Sequence, residues 1–92
     1  MNVLMISFDA SKTNSTLAAK ILGIIKAQPS WAITAPNTYL VVTSFDAAQM
    51  RNQLGVLGVS GLVVFNVTNQ LWAAYGLPND VSQWLQTNWR QS

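Results

Sequence analysis

Trp31-Ala32-Ile33-Thr34-Ala35-Pro36-Asn37-Thr38-Tyr39-Leu40-Val41-Val42-Thr43 is the stretch on which the fold turns. Thr38–Thr43 is β-branched and aromatic, the composition of a strand. Trp31–Thr34 reads as that strand's partner or its extension, with Pro36 marking a bend. A helical pattern lies on either side of the block. Whether Pro36 splits it decides between one strand and two in the middle of the chain.

Upstream, Met1-Asn2-Val3-Leu4-Met5-Ile6-Ser7-Phe8-Asp9 is an apolar strand that ends on an aspartate. The loop from Ala10 to Thr16 is polar and rich in residues that cap helices. Leu17, Ile21, Ile24 and Ile25 then recur at helical spacing, widened by Ala18 and Leu22, until Pro29 stops the pattern. Downstream, Ser44 or Asp46 caps a second helix with the stripe Ala47, Met50, Leu54 and Leu57, which Gly55 or Gly58 ends. Leu62–Thr68 is strongly strand-like, and its continuous apolar run predicts a central strand covered on both faces. Asn69-Gln70 turns the chain. Leu71–Leu77 fits either a short edge strand or an ordered loop. Pro78-Asn79-Asp80 introduces a last helix with Val81, Trp84 and Leu85 on one face and Trp89 trailing.

The order is therefore β-α-β-α-β with a C-terminal appendix, the second β segment being divisible at Pro36. This predicts an α+β, ferredoxin-like split βαβ sandwich: an antiparallel sheet with two helices on one face and a short C-terminal helix. Residues 1–92 are expected to form a single domain.

Half of the residues are apolar and only 9% are charged, against about 25% in a typical globular domain. So little charge leaves apolar surface that a second copy would cover, and a homodimer joined through the sheet is expected. Net charge is +2 and the pI is about 9.4, but this reflects three acids rather than many bases. Lys12, Lys20, Lys26, Arg51 and Arg90 are few for phosphate binding, whose strength scales with the phosphates neutralised, so nucleic acid is only weakly supported as a partner.

The chain has no cysteine and no histidine. That excludes disulfides, a thiolate nucleophile and a Ser-His-Asp triad, and removes the commonest metal ligand and general base. The glycines match neither a P-loop nor a dinucleotide fingerprint, and no small-molecule cofactor is expected. The N-terminus lacks the basic segment and small-residue cleavage site of a signal peptide, and no apolar run approaches the roughly 18 residues of a membrane span. A cytoplasmic protein with no membrane partner is expected.

Asp9 carries the main chemical alternative. It is a metal ligand, paired across a dimer with its symmetry mate and suited to a hard cation such as magnesium. Or it is a strand-end carboxylate that caps the turn at Ser11–Asn14. Ser7, Ser11, Lys12 and Thr13 could touch a phosphate beside it, or simply form the loop. Four tryptophans are the other oddity. They lack the basic company of base-stacking surfaces, so Trp72, Tyr75 and Trp84 are read as packing or interface residues.

Val3–Asp9, the amphipathic helix after it and the strand Thr38–Val42 together resemble the Cas-two-like family. Its members are the small CRISPR-associated adaptation subunit and the SinR-like proteins, and Trp72–Leu77 with Trp84-Leu85 looks most like the SinR-like branch. The resemblance implies a ferredoxin-like protomer that dimerises through its sheet. It also implies that an Asp at the end of the first strand binds a divalent metal for phosphodiester cleavage in some members, while others hold DNA without cleaving it. Only Asp9 can inherit the metal role. The low charge departs from the basic, nucleic-acid-binding members. The expected function is thus a small homodimeric binding or scaffold module without catalysis. The alternative is a magnesium-dependent endonuclease using Asp9 from both subunits.

Overall fold

A computed structural model describes residues 1–88. Trp89 and Arg90 lie outside the described residues. Four strands, β1 (Asn2–Ser7), β2 (Ser30–Ala35), β3 (Thr38–Thr43) and β4 (Val63–Asn66), form one antiparallel sheet in the order β2-β3-β1-β4. Helices α1 (Ser15–Lys26) and α2 (Ala47–Gly55) connect β1 to β2 and β3 to β4, and α3 (Asn79–Asn88) closes the described chain. This is the α+β, ferredoxin-like arrangement that the sequence predicts. The block at Pro36 is two strands: β2 pairs with β3 as a hairpin, with an irregularity between Ile33 and Ala35.

The period of two in each strand separates the two faces of the sheet. Leu4 and Ile6 of β1 and Tyr39 and Val41 of β3 face the helices. There they meet Ile21 and Ile25 of α1 and Met50 and Leu54 of α2 in one buried cluster. Two side-chain caps fix where those helices start. Asn14 accepts the Leu17 N–H at 2.8 Å. Asp46 accepts the Gln49 N–H at 2.7 Å while the Gln49 side chain accepts the Asp46 N–H at 2.8 Å, a reciprocal capping box. Asp46, not Ser44, is therefore the cap of α2.

The opposite face carries Val3, Met5 and Ser7, with Leu40 and Val42 beside them on β3 and Val63 and Phe65 on β4. Helix α3 covers part of it. Val81 and Leu85 are buried, and the Trp84 Nε1–H donates to the Ser30 hydroxyl at the edge of β2, 2.7 Å away. The C-terminal helix thus lies over the β2–β3 half of the face and leaves Val63 and Phe65 of β4 uncovered.

β4 corrects one expectation. Its apolar run predicts a central strand covered on both faces, but β4 is the edge of the sheet, and Val63 and Phe65 remain 46% and 49% exposed. A continuous apolar run identifies burial on both faces only when other chain covers both, and α3 reaches only the far half. The Leu71–Leu77 segment forms neither strand nor helix. Asn69, at φ 62°, turns the chain out of β4 into it.

Candidate functional site

Beyond β1 the chain is held before it can wander. The Phe8 ring is buried edge-to-face against Tyr39, with centroids 5.5 Å apart. The Phe8 N–H donates to the Asn37 carbonyl (3.2 Å) and the Asp9 N–H to the Ser60 carbonyl (2.9 Å). Gly61, at φ +65°, lies so close that a Cβ there would stand 3.2 Å from Asp9 Cβ. Only glycine takes both that conformation and that approach without strain.

Asp9 then caps a single 3₁₀ turn, Ala10–Lys12. Its Oδ1 accepts the Ser11 hydroxyl at 2.6 Å and the Ser11 N–H at 3.0 Å. Its carbonyl accepts the Lys12 N–H (3.2 Å) and the Thr13 hydroxyl (2.9 Å). The Ser11 hydroxyl, with lesser help from the Ser11 N–H and the Lys12 charge, holds the carboxyl below its ordinary value against some desolvation. This is the capping geometry that the sequence offers as one alternative for Asp9, and Ser11 is the partner.

The sign of the pH effect follows from that lowering. A carboxyl whose folded pKa lies below its unfolded value adds stability above the unfolded value and loses it as pH falls through the folded one. Below about pH 4 the Asp9 contribution should fade, and Asp9→Asn should abolish that part of the acid sensitivity. Urea midpoints at pH 6 and pH 3 for both proteins measure it. Equal loss in both would deny Asp9 the role.

Magnesium takes near-octahedral oxygen ligands, usually one or two carboxylates with waters and phosphates. Among the described residues no group of three or more Asp, Glu, His or Cys side chains could hold a metal ion. One protomer offers Asp9, with both of its side-chain hydrogen bonds on Oδ1. Of the described basic residues, Lys12 acts on Asp9. Lys26 lies over the Trp31 ring at 5.6 Å, and Arg51 donates to Asn52 Oδ1 at 3.1 and 3.3 Å.

The second face presents a different kind of site, beside α3. Met5 and Leu40 of the sheet, Trp72, Tyr75 and Leu77 of the segment after β4, and Leu85 of α3 surround a cavity of about 350 Å³. No charged residue lines it. Trp72 is half-buried, whereas Tyr75 at its rim is 102% exposed, as free as in an extended chain. Of the three residues expected to act by packing, Trp84 docks α3 and Trp72 lines the cavity, while Tyr75 stands fully exposed at its rim. Val63 and Phe65 are further surface residues beside this site that the sequence reading assigns to the interior. The absence of Asp, Glu, Lys and Arg between Arg51 and Asp80 was the available signal.

Among the described residues no helix is long and apolar enough to cross a membrane. Comparison with protein-family models, with curated proteins and with solved structures finds no match to this chain.

Proposed function

We propose that the chain acts as a homodimeric binding or scaffold module of the kind the Cas-two-like and SinR-like proteins exemplify, with no chemistry of its own. One observation carries this reading: β4 ends the sheet in an apolar edge whose outward side chains the protomer leaves uncovered. Val63 and Phe65 project from it half-exposed. The Val67 N–H donates to the Val3 carbonyl at 2.9 Å, and the alternation of an antiparallel ladder then turns the backbone groups of Val64 and Asn66 to the outer edge. Monomeric proteins guard such an edge with lysine, proline or a bulge. Within β4 there is no lysine or proline, and its pairing with β1 runs without a register shift. A second copy that covers this strip removes apolar surface and strand edge together.

Sedimentation equilibrium tests it. The expected mass is twice the 10.1 kDa chain, and Phe65→Lys, which places a charge on the strip without entering the core, should shift the protein to monomer. A wild-type protein that stays monomeric at all concentrations overturns the reading. Salt-sensitive binding of labelled DNA or RNA by the dimer, without cleavage, would identify nucleic acid as the cargo.

The second reading is a magnesium-dependent endonuclease. What favours it is an ionised Asp9 at the end of β1 whose Oδ2 takes no part in the Ser11 turn. It needs the two Asp9 carboxylates of a dimer to stand close together. Cleavage of RNA or DNA that requires the metal and vanishes in a folded Asp9→Ala variant would establish it. Cleavage that survives in Asp9→Ala would dismiss it.

A further inference from the structure

We propose that the dimer is locked by Tyr75, each copy inserting this ring into the cavity of the other. The inference rests on the homodimeric reading above and names its contact.

The knob and the hole are both present in one protomer, side by side. Tyr75 is fully exposed, although buried tyrosines and tryptophans are typical interface anchors. The adjacent cavity of about 350 Å³ is walled by Met5, Leu40, Trp72, Leu77 and Leu85, and a dry apolar cavity of about 150 Å³ already accepts a benzene ring. A knob and a hole on the same rim are what a two-fold interface requires, because each surface must complement itself. The ring cannot fill its own cavity while it stands fully exposed.

Polarity and charge agree with a second copy as the occupant. The phenol needs a hydrogen-bond partner when buried. Thr34 lines the cavity, and its hydroxyl donates to the Thr38 carbonyl at 3.3 Å, which leaves the oxygen able to accept the phenol O–H. No charged residue lines the cavity, so a ring from a second copy enters it without meeting a charge. Two exposed tyrosines, with the half-exposed Phe65 and Val63 beside them, supply on the order of 1,000 Å² of contact. That is the lower bound for a specific interface.

The test is the dimerisation constant of wild type, Tyr75→Ala and Tyr75→Phe by sedimentation, together with binding of the uncharged fluorophore N-phenyl-1-naphthylamine. Tyr75 is fully exposed in the protomer, so both variants should fold as wild type does, which circular dichroism checks. Tyr75→Ala should weaken dimerisation at least tenfold and expose the cavity to the probe. Tyr75→Phe should keep most of the affinity, and the wild-type dimer should exclude the probe. A dimer indifferent to Tyr75→Ala overturns the lock while leaving the homodimer standing. A monomeric wild type removes the homodimeric reading and the lock with it. A wild-type dimer that binds one probe per chain would give the cavity to a small apolar ligand and also overturn the lock.

Discussion

Leu4→Ala is expected to lower the free energy of unfolding by about 3 kcal/mol, a loss of roughly a hundredfold in the folding equilibrium constant. Leu4 sits on β1, a central strand with β3 on one side and β4 on the other, and it is wholly buried. Its side chain belongs to the cluster in which the sheet meets Ile21 and Ile25 of α1 and Met50 and Leu54 of α2. Truncation removes apolar burial and leaves a cavity that neighbours fixed in strands and helices cannot collapse to fill. Domains of this size are stable by about 5–14 kcal/mol, so the loss is a large fraction of the whole. In urea it should appear as a midpoint lower by about 2 M. Val63→Thr is the control: the side chain is similar in shape and lies on the half-open face, and a change within about 0.5 kcal/mol is expected in the protomer. Similar losses in the two variants would deny that the helix-facing side is the core.

The pattern that identifies Leu4 as core is local, and so it was legible in the sequence. Alternation in β1, the spacing of Ile21 and Ile25, Asp46 as a cap and Pro36 as a turn all act within a few residues of themselves. Together they predicted the ferredoxin-like order. What could not be read was which face of the sheet α3 covers, because that depends on where the irregular segment between Asn66 and Asn79 carries the chain. Val63 and Phe65 have the composition of buried residues, yet they lie at the edge where α3 does not reach. Asp9 is an intermediate case. The sequence Asp9-Ala10-Ser11 offered the capping turn and the metal ligand together, and only geometry placed the Ser11 hydroxyl at 2.6 Å on one oxygen. The close approach of Gly61, more than fifty residues away, had no sequence signal beyond the glycine itself.

This division also explains why the two faces invite different experiments. The helix face is closed by the protomer's own side chains, so substitutions there read out in stability. On the other face the protomer leaves Phe65 and Tyr75 exposed, so these two should read out in association. A substitution that disturbs the first without the second would show that the two are separate. Thr43 is placed to do so.

Thr43→Val should cost about 2 kcal/mol while leaving any association through the opposite face unchanged. Thr43 is the one buried polar residue among those described, with no exposure at all, and it lies on the helix side of β3 with Tyr39 and Val41. Its hydroxyl donates to Gln28 Oε1 at 2.6 Å and accepts the Phe45 N–H at 3.1 Å. Gln28 in turn donates from Nε2 to the Ile24 carbonyl at 3.0 Å. One hydroxyl thereby ties the end of α1 to the end of β3 and to the entry of α2. Valine preserves the shape but strands a donor and an acceptor at once, and a buried group left without its partner loses its full hydration. Thr43→Ser separates the causes, because it keeps the hydroxyl and drops only a methyl group, for about 1 kcal/mol. If serine proved as costly as valine, packing rather than the hydrogen-bonded joint would hold this corner. Amide exchange at Phe45 gives a local reading: its N–H should exchange faster in Thr43→Val than in Thr43→Ser, by more than the global loss of stability accounts for.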